Sequence, residues 1–131
     1  MKQLLFITFT ILSTFLVSAQ APISVLKGPP IDYNVVELQP EYPGGNNEFI
    51  KYIGKNFVTP EVEGLSGILK VSFVIEINGK IGDIKIINDL GSGTAEEAKR
   101  VLSKSLPWIP GQQDGKPVRV LFNLPITIRG Y

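Results

Sequence analysis

From Val118 to Ile128 every even position is apolar: Val118, Val120, Phe122, Leu124, Ile126 and Ile128. Between them stand Arg119, Leu121, Asn123, Pro125, Thr127 and Arg129, mostly polar. A period of two predicts a strand with one face on a core and the other toward water. Pro117 and Pro125 share a parity, and backbone N–H groups alternate sides along a strand, so both missing donors fall on one lateral edge. The last strand therefore reads as an edge strand. Its even residues pair inward and its odd residues face outward along the open edge.

The same alternation runs from Ile68 to Ile77. Leu69, Val71, Phe73, Ile75 and Ile77 point one way; Lys70, Ser72 and Glu76 point the other, with Val74 out of pattern. Asn78-Gly79 follows, a pair that tolerates the positive φ angles of a type I′ hairpin turn. The return strand, about Ile81 to Asn88, sets Ile84 and Ile86 against Asp83 and Lys85. The first of these strands is the longest apolar one and lacks proline, so it is expected at the centre, between its hairpin partner and the last strand.

Two segments switch to the helical period. Asn47 to Asn56 follows Gly44-Gly45 and places Phe49, Ile50, Ile53 and Phe57 on one side. Thr94-Ala95-Glu96-Glu97 reads as a capping box, with the Thr94 hydroxyl and the Glu97 carboxylate exchanging bonds with each other's backbone. That helix runs to about Ser105, with Ala98, Val101 and Leu102 inward and Lys99, Arg100 and Lys104 outward, until Pro107 stops it. The order α-β-β-α-β predicts an α+β fold: a two-layer sandwich of a three-stranded antiparallel sheet with both helices on one face.

The N-terminus changes the picture of where this domain works. One lysine precedes an apolar run from Leu4 to Val17, and Val17-Ser18-Ala19 supplies small residues for cleavage, so residues 1–19 read as a secretory signal peptide. The run is shorter than the roughly 20 residues of a spanning helix. An uncleaved inner-membrane anchor facing the periplasm is the alternative. Residues 20–39 form an extended, proline-containing lead with one β-prone island, Val35 to Leu38, and residues 40–131 form the domain. The chain carries 13 basic and 12 acidic side chains, and loss of Lys2 with the signal balances them. Nothing in that balance points to nucleic acid. With no cysteine, an exported domain must stabilise itself by core burial alone.

Candidate chemistry is sparse. The chain has no histidine and no cysteine, which removes the commonest general base, the thiol nucleophile and the usual zinc ligands. Glu96-Glu97 is explained by capping and Glu61/Glu63 by a solvated loop. Gly91-Ser92-Gly93 lacks the lysine of a phosphate loop and reads as a strand-to-helix turn. Tyr42 and Trp108 are either binding aromatics or plugs at the helix ends. No enzyme is visible, and no metal or cofactor is expected.

The ordered motifs carry a family resemblance. Tyr42-Pro43-Gly44-Gly45 leads a helix, Gly67 to Ile77 with Asn78-Gly79 makes a hairpin, and Glu96-Glu97-Ala98 follows in a helix. Trp108-Ile109-Pro110-Gly111-Gln112 then leads to Gly115-Lys116-Pro117-Val118. Over roughly Pro40 to Ile128 this set resembles the C-terminal domain family of TonB. The resemblance implies a periplasmic domain that grips a short peptide of an outer-membrane receptor, the TonB box, by strand addition. It also implies that the domain pulls on that peptide with energy from an inner-membrane motor. Only 22 residues, Gln20 to Glu41, precede the Tyr-Pro motif, a reach of roughly 75 Å at full extension. Two readings follow: a transport component of this kind, or a soluble envelope interaction domain that reuses the fold without energy coupling.

By parity, the outward donors of the last strand belong to Arg119, Leu121 and Asn123. Bracketed by Pro117 and Pro125, they leave room for a partner segment of about five to seven residues. Arg119 is expected to attract an acidic partner residue, and an open edge allows a strand-exchanged homodimer. The alternative is that Val35 to Leu38 already covers this edge.

Overall fold

Eight elements follow one another in the computed structural model, which describes residues 28–130. They are β1 (Ile31–Asp32), α1 (Asn46–Asn56), β2 (Gly67–Ile75), β3 (Ile81–Asn88), α2 (Thr94–Ser103), β4 (Gln112–Gln113), β5 (Lys116–Pro117) and β6 (Val120–Ile128). The expected signal peptide, its cleavage site and the anchor alternative lie outside the described residues.

Alternation builds the sheet as the pattern predicts. β2 is flanked by β3 and β6, both antiparallel, and its pairing with β6 runs unbroken from Gly67↔Ile128 to Ile75↔Val120. Leu69, Val71, Phe73 and Ile75 of β2 and Leu124, Ile126 and Ile128 of β6 share one buried cluster. Phe49 and Ile53 of α1 and Ala98, Val101 and Leu102 of α2 join it, so both helices cover one face. The Tyr52 hydroxyl ties them together by donating to the Val101 carbonyl at 2.7 Å, and burial raises its pKa.

The sheet is not the three-stranded antiparallel one that the sequence predicts. β1 joins it beyond β6, in parallel, giving a four-stranded mixed sheet in the order β1-β6-β2-β3, and β4 and β5 form a separate small hairpin. Parallel pairing is non-local and leaves no turn signal in the sequence.

Several local expectations are corrected for physical reasons. Asn78-Gly79 does close the hairpin, but only Gly79 takes a positive φ, 82°. Gly79 N–H donates to Glu76 C=O and Glu76 N–H to Lys80 C=O, which is a three-residue loop with the glycine in the bulge position. Gly79 is needed twice over, because a Cβ there would meet the Trp108 carbonyl oxygen at 2.0 Å. The paired positive φ angles of a type I′ turn occur instead at Asp114 and Gly115, between β4 and β5.

The capping box does not form. The N-cap of α2 is Gly93, and the Thr94 hydroxyl turns back to the Gly91 carbonyl at 2.7 Å. Glu97 has better partners: the Arg100 guanidinium one turn on, and the Val58 N–H at 3.0 Å. The Arg100 bond, with the Val58 bond adding to it, holds the Glu97 carboxyl below the usual carboxylate value. Arg100 also donates to the Asn56 carbonyl at 2.8 Å, so this pair clasps the end of α1 to α2 rather than capping anything.

Ile50 and Ile77 are exposed, Ile77 because β2 ends two residues earlier. Ser72, Val74 and Glu76 on the helix-free face are buried. Glu76 is expected toward water by its parity. It turns into an ion pair instead.

Candidate partner-binding edge

The two ring motifs meet across the chain. Residues 38–41 run antiparallel to 109–112, with bridges at Leu38↔Gln112 and Glu41↔Ile109. This pairing brings Tyr42 to 5.6 Å from Trp108, centroid to centroid, with Phe49 packed against both. Burial raises the Tyr42 pKa, with Glu48 adding to it. Pro43 and Gly44 occupy the middle of a turn closed by Gly45 N–H donating to Tyr42 C=O at 2.7 Å, and Gly45 then caps α1.

Gly111 is buried where a Cβ would meet Val120 Cγ2 at 2.7 Å and the Leu38 carbonyl at 3.0 Å. Pro110 precedes it, Gln112 bridges to Leu38, Gly115 makes the β4–β5 turn and Pro117 pairs with Gln112. Tyr42 and Trp108 are both buried in the core, whereas Pro43, Gly44, Gly115 and Pro117 are exposed.

β6 places its odd residues as the parity argument expects. The Arg119 and Leu121 carbonyls point away from β2, and since a residue's N–H and C=O share a side, Asn123 and Thr127 do too. Pro125 lies opposite Lys70 at the same parity, so its missing donor costs the β2 ladder nothing.

The edge is not open along its whole length, which corrects the edge-strand expectation. Ile31 N–H donates to the Arg119 carbonyl at 2.9 Å and Tyr33 N–H to the Leu121 carbonyl at 3.0 Å. The cover considered as the alternative, Val35 to Leu38, goes elsewhere: Leu38 bridges to Gln112, and Glu37 binds the β4–β5 hairpin through Gln113 and the Asp114 N–H. Of the three edge residues singled out by sequence, β1 takes Arg119 and Leu121. Asn123 stays exposed, and from there to Ile128 β6 has no outer neighbour among the described residues.

Arg119 departs furthest from expectation. Its side chain is only 6% exposed and faces inward over the helix-free side of the sheet. Nε and Nη2 donate to the two oxygens of Glu76 at 2.9 and 3.1 Å, Nη2 also to Asp83 at 2.7 Å, and Nη1 to the Gly28 carbonyl at 2.6 Å. The Glu76 bond above all holds the guanidinium above its ordinary value, against the opposing effect of burial. All of this charge is spent internally, so Arg119 offers nothing to an acidic partner.

Sequence reasoning missed Tyr33 and Phe122 as edge residues. Their rings meet edge-on at 4.9 Å, and the Tyr33 hydroxyl accepts from Asn46 Nδ2 at 2.8 Å. The only signal was Pro29-Pro30 before Ile31, an extended lead with no periodicity. On the helix-free face an apolar depression of about 280 Å³ spans β6, β2 and β3, lined by Lys70, Val71, Ile87, Asn123, Leu124 and Pro125.

The opposite edge is less suited to a partner strand. The β2–β3 ladder breaks register twice, Asp83 is forced to a φ of 46°, and Lys85 projects from the strand. Bulges and lysines are how natural edges resist pairing.

No curated protein and no solved structure matches the chain. The family of the Gram-negative bacterial TonB protein C-terminal matches residues 61–128, from the loop before β2 to the end of β6. β1 and α1 precede the matched residues. The match spans β2, β3 and β6 of the sheet, α2 and the β4–β5 hairpin, and the chain belongs to the TonB C-terminal family.

Proposed function

We propose that this domain works on the periplasmic side of the envelope, where it binds an extended peptide of an outer-membrane receptor as an added strand along the outer edge of β6. Family membership supports a protein-binding role in envelope transport, since domains of this family interact with outer-membrane receptors. The observation that carries the choice of edge is that β6 already holds a strand at Arg119 and Leu121. Main-chain bonds along such an edge supply affinity, and depressions beside it take alternate side chains. Asn123 and Pro125 border an apolar depression on the helix-free face, which reaches inward across β2 to Ile87.

The test is a titration with synthetic peptides covering the periplasm-facing N-terminal segments of outer-membrane receptors. Asn123→Pro removes an outward donor beyond the reach of β1 and leaves the even residues paired to β2. It should weaken binding by about tenfold or more, the equivalent of one hydrogen bond, without lowering helix or sheet content. A folded Asn123→Pro protein that binds as the native chain does would show that the peptide uses another edge.

A further inference from the structure

β1 has only two residues, pairs in parallel and lies outside the family match, yet it is held at several points. Arg119 grips the Gly28 carbonyl, Ile31 and Tyr33 donate to β6, and the Tyr33 ring packs on Phe122. Immediately afterwards the chain leaves the edge: Asn34, Val35 and Val36 all donate back to Asp32. The segment touches the edge where a partner strand would begin, and then stops.

We propose that Gly28–Asn34 is an internal stand-in for the partner, and that a partner peptide enters by displacing it. This rests on the strand-addition reading above. The stand-in shows the chemistry the edge accepts: an extended, proline-led segment running parallel to β6, with aliphatic, acidic and aromatic side chains in succession. These are Ile31, Asp32 and Tyr33, and the aromatic ring is the one that Phe122 receives.

The energetics favour an occupant that holds but yields. Strands usually run to three or more residues, and parallel pairs are slightly weaker per residue than antiparallel ones, so β1 opens far below the cost of global unfolding. Its tether keeps it at an effective concentration on the order of millimolar, so a free peptide of the same length loses to it. A longer partner wins by continuing past Leu121 to Asn123 and Thr127, where β1 makes no bond. Its apparent affinity is reduced by the fraction of molecules in which β1 is closed. The device selects for length as well as for sequence.

The experiment uses the full chain, its Ile31→Pro variant, and a capped synthetic peptide with the sequence of residues 28–36. Ile31→Pro deletes the N–H that the Arg119 carbonyl receives and keeps an extended φ. Tyr33→Ala, a second variant, strips the ring from Phe122 without touching the backbone. Both variants should bind the peptide about tenfold more tightly than the native chain, with amide shifts at Leu121 and Asn123. Equal affinity in all three proteins overturns displacement and leaves strand addition standing. No binding to any of the three while all remain folded overturns both.

Discussion

Phe73→Ala should lower the stability of the domain by about 3–5 kcal/mol, the range for deleting a fully buried aromatic ring. Phe73 is completely buried at the middle of β2 and sits opposite Phe122 of β6. Its ring lies 5.2 Å from that of Phe122, 6.1 Å from Phe49 and 6.4 Å from Trp108, so it joins the sheet to α1 and to the segment after α2. Collapse into the space left behind is opposed because Trp108 is pinned through its backbone to Gly79. The upper part of the range is therefore expected. Urea unfolding monitored by tryptophan fluorescence and by circular dichroism should give a lower midpoint with an unchanged slope. A midpoint that hardly moves would mean that Phe73 does not centre the core.

The second large effect belongs to Arg119→Met. The substitution keeps much of the side-chain volume and leaves Glu76, itself 10% exposed, without the guanidinium that binds both of its oxygens. Removing one partner of a buried pair costs about 3–5 kcal/mol, much more than an exposed pair is worth. The Asp83 contact adds little, because that carboxylate is 53% exposed. The double variant with Glu76→Gln should lose less than the sum of the single losses, since the two side chains are in direct contact. Additive losses would show that the pair contributes no coupling. Arg119→Met also frees the Gly28 carbonyl, so amide exchange at Ile31 and Tyr33 should quicken even where the domain remains folded.

What the sequence made legible was local. Alternation over Ile68–Ile77 and Val118–Ile128 yielded β2 and β6, their inward faces and the central position of β2, because each strand carries its own period. The parity of Pro117 and Pro125 gave the outer side of β6, since a proline can sit only where no ladder donor is needed. Ordered motifs gave the family.

What stayed hidden depended on residues far apart. Arg119 and Glu76 read as solvated charges because nothing local tells a residue that a partner 43 positions away will bury it. Glu97 read as a cap because Thr94 stands three residues before it, but Arg100 and Val58 compete for its carboxylate and win. Asn78-Gly79 and Asp114-Gly115 are turn pairs of one kind. They close different turns, and the Trp108 backbone packs against Gly79 while nothing approaches Gly115, a tertiary difference that neither pair encodes. β1 had the least signal of all, two residues with no period, and it is the element that most changes the reading of the edge.

Strand addition at β6 can be read by residue-resolved amide hydrogen exchange with and without a bound receptor peptide. The backbone amides of Asn123 and Thr127 face outward and have no strand beside them among the described residues, while Pro125 between them has no amide. On binding, exchange at both should slow markedly, with Ile86, whose amide faces away from β2 on the β3 edge, unchanged. Protection that appears along β3 instead, or binding that leaves Asn123 and Thr127 exchanging as before, would contradict the account.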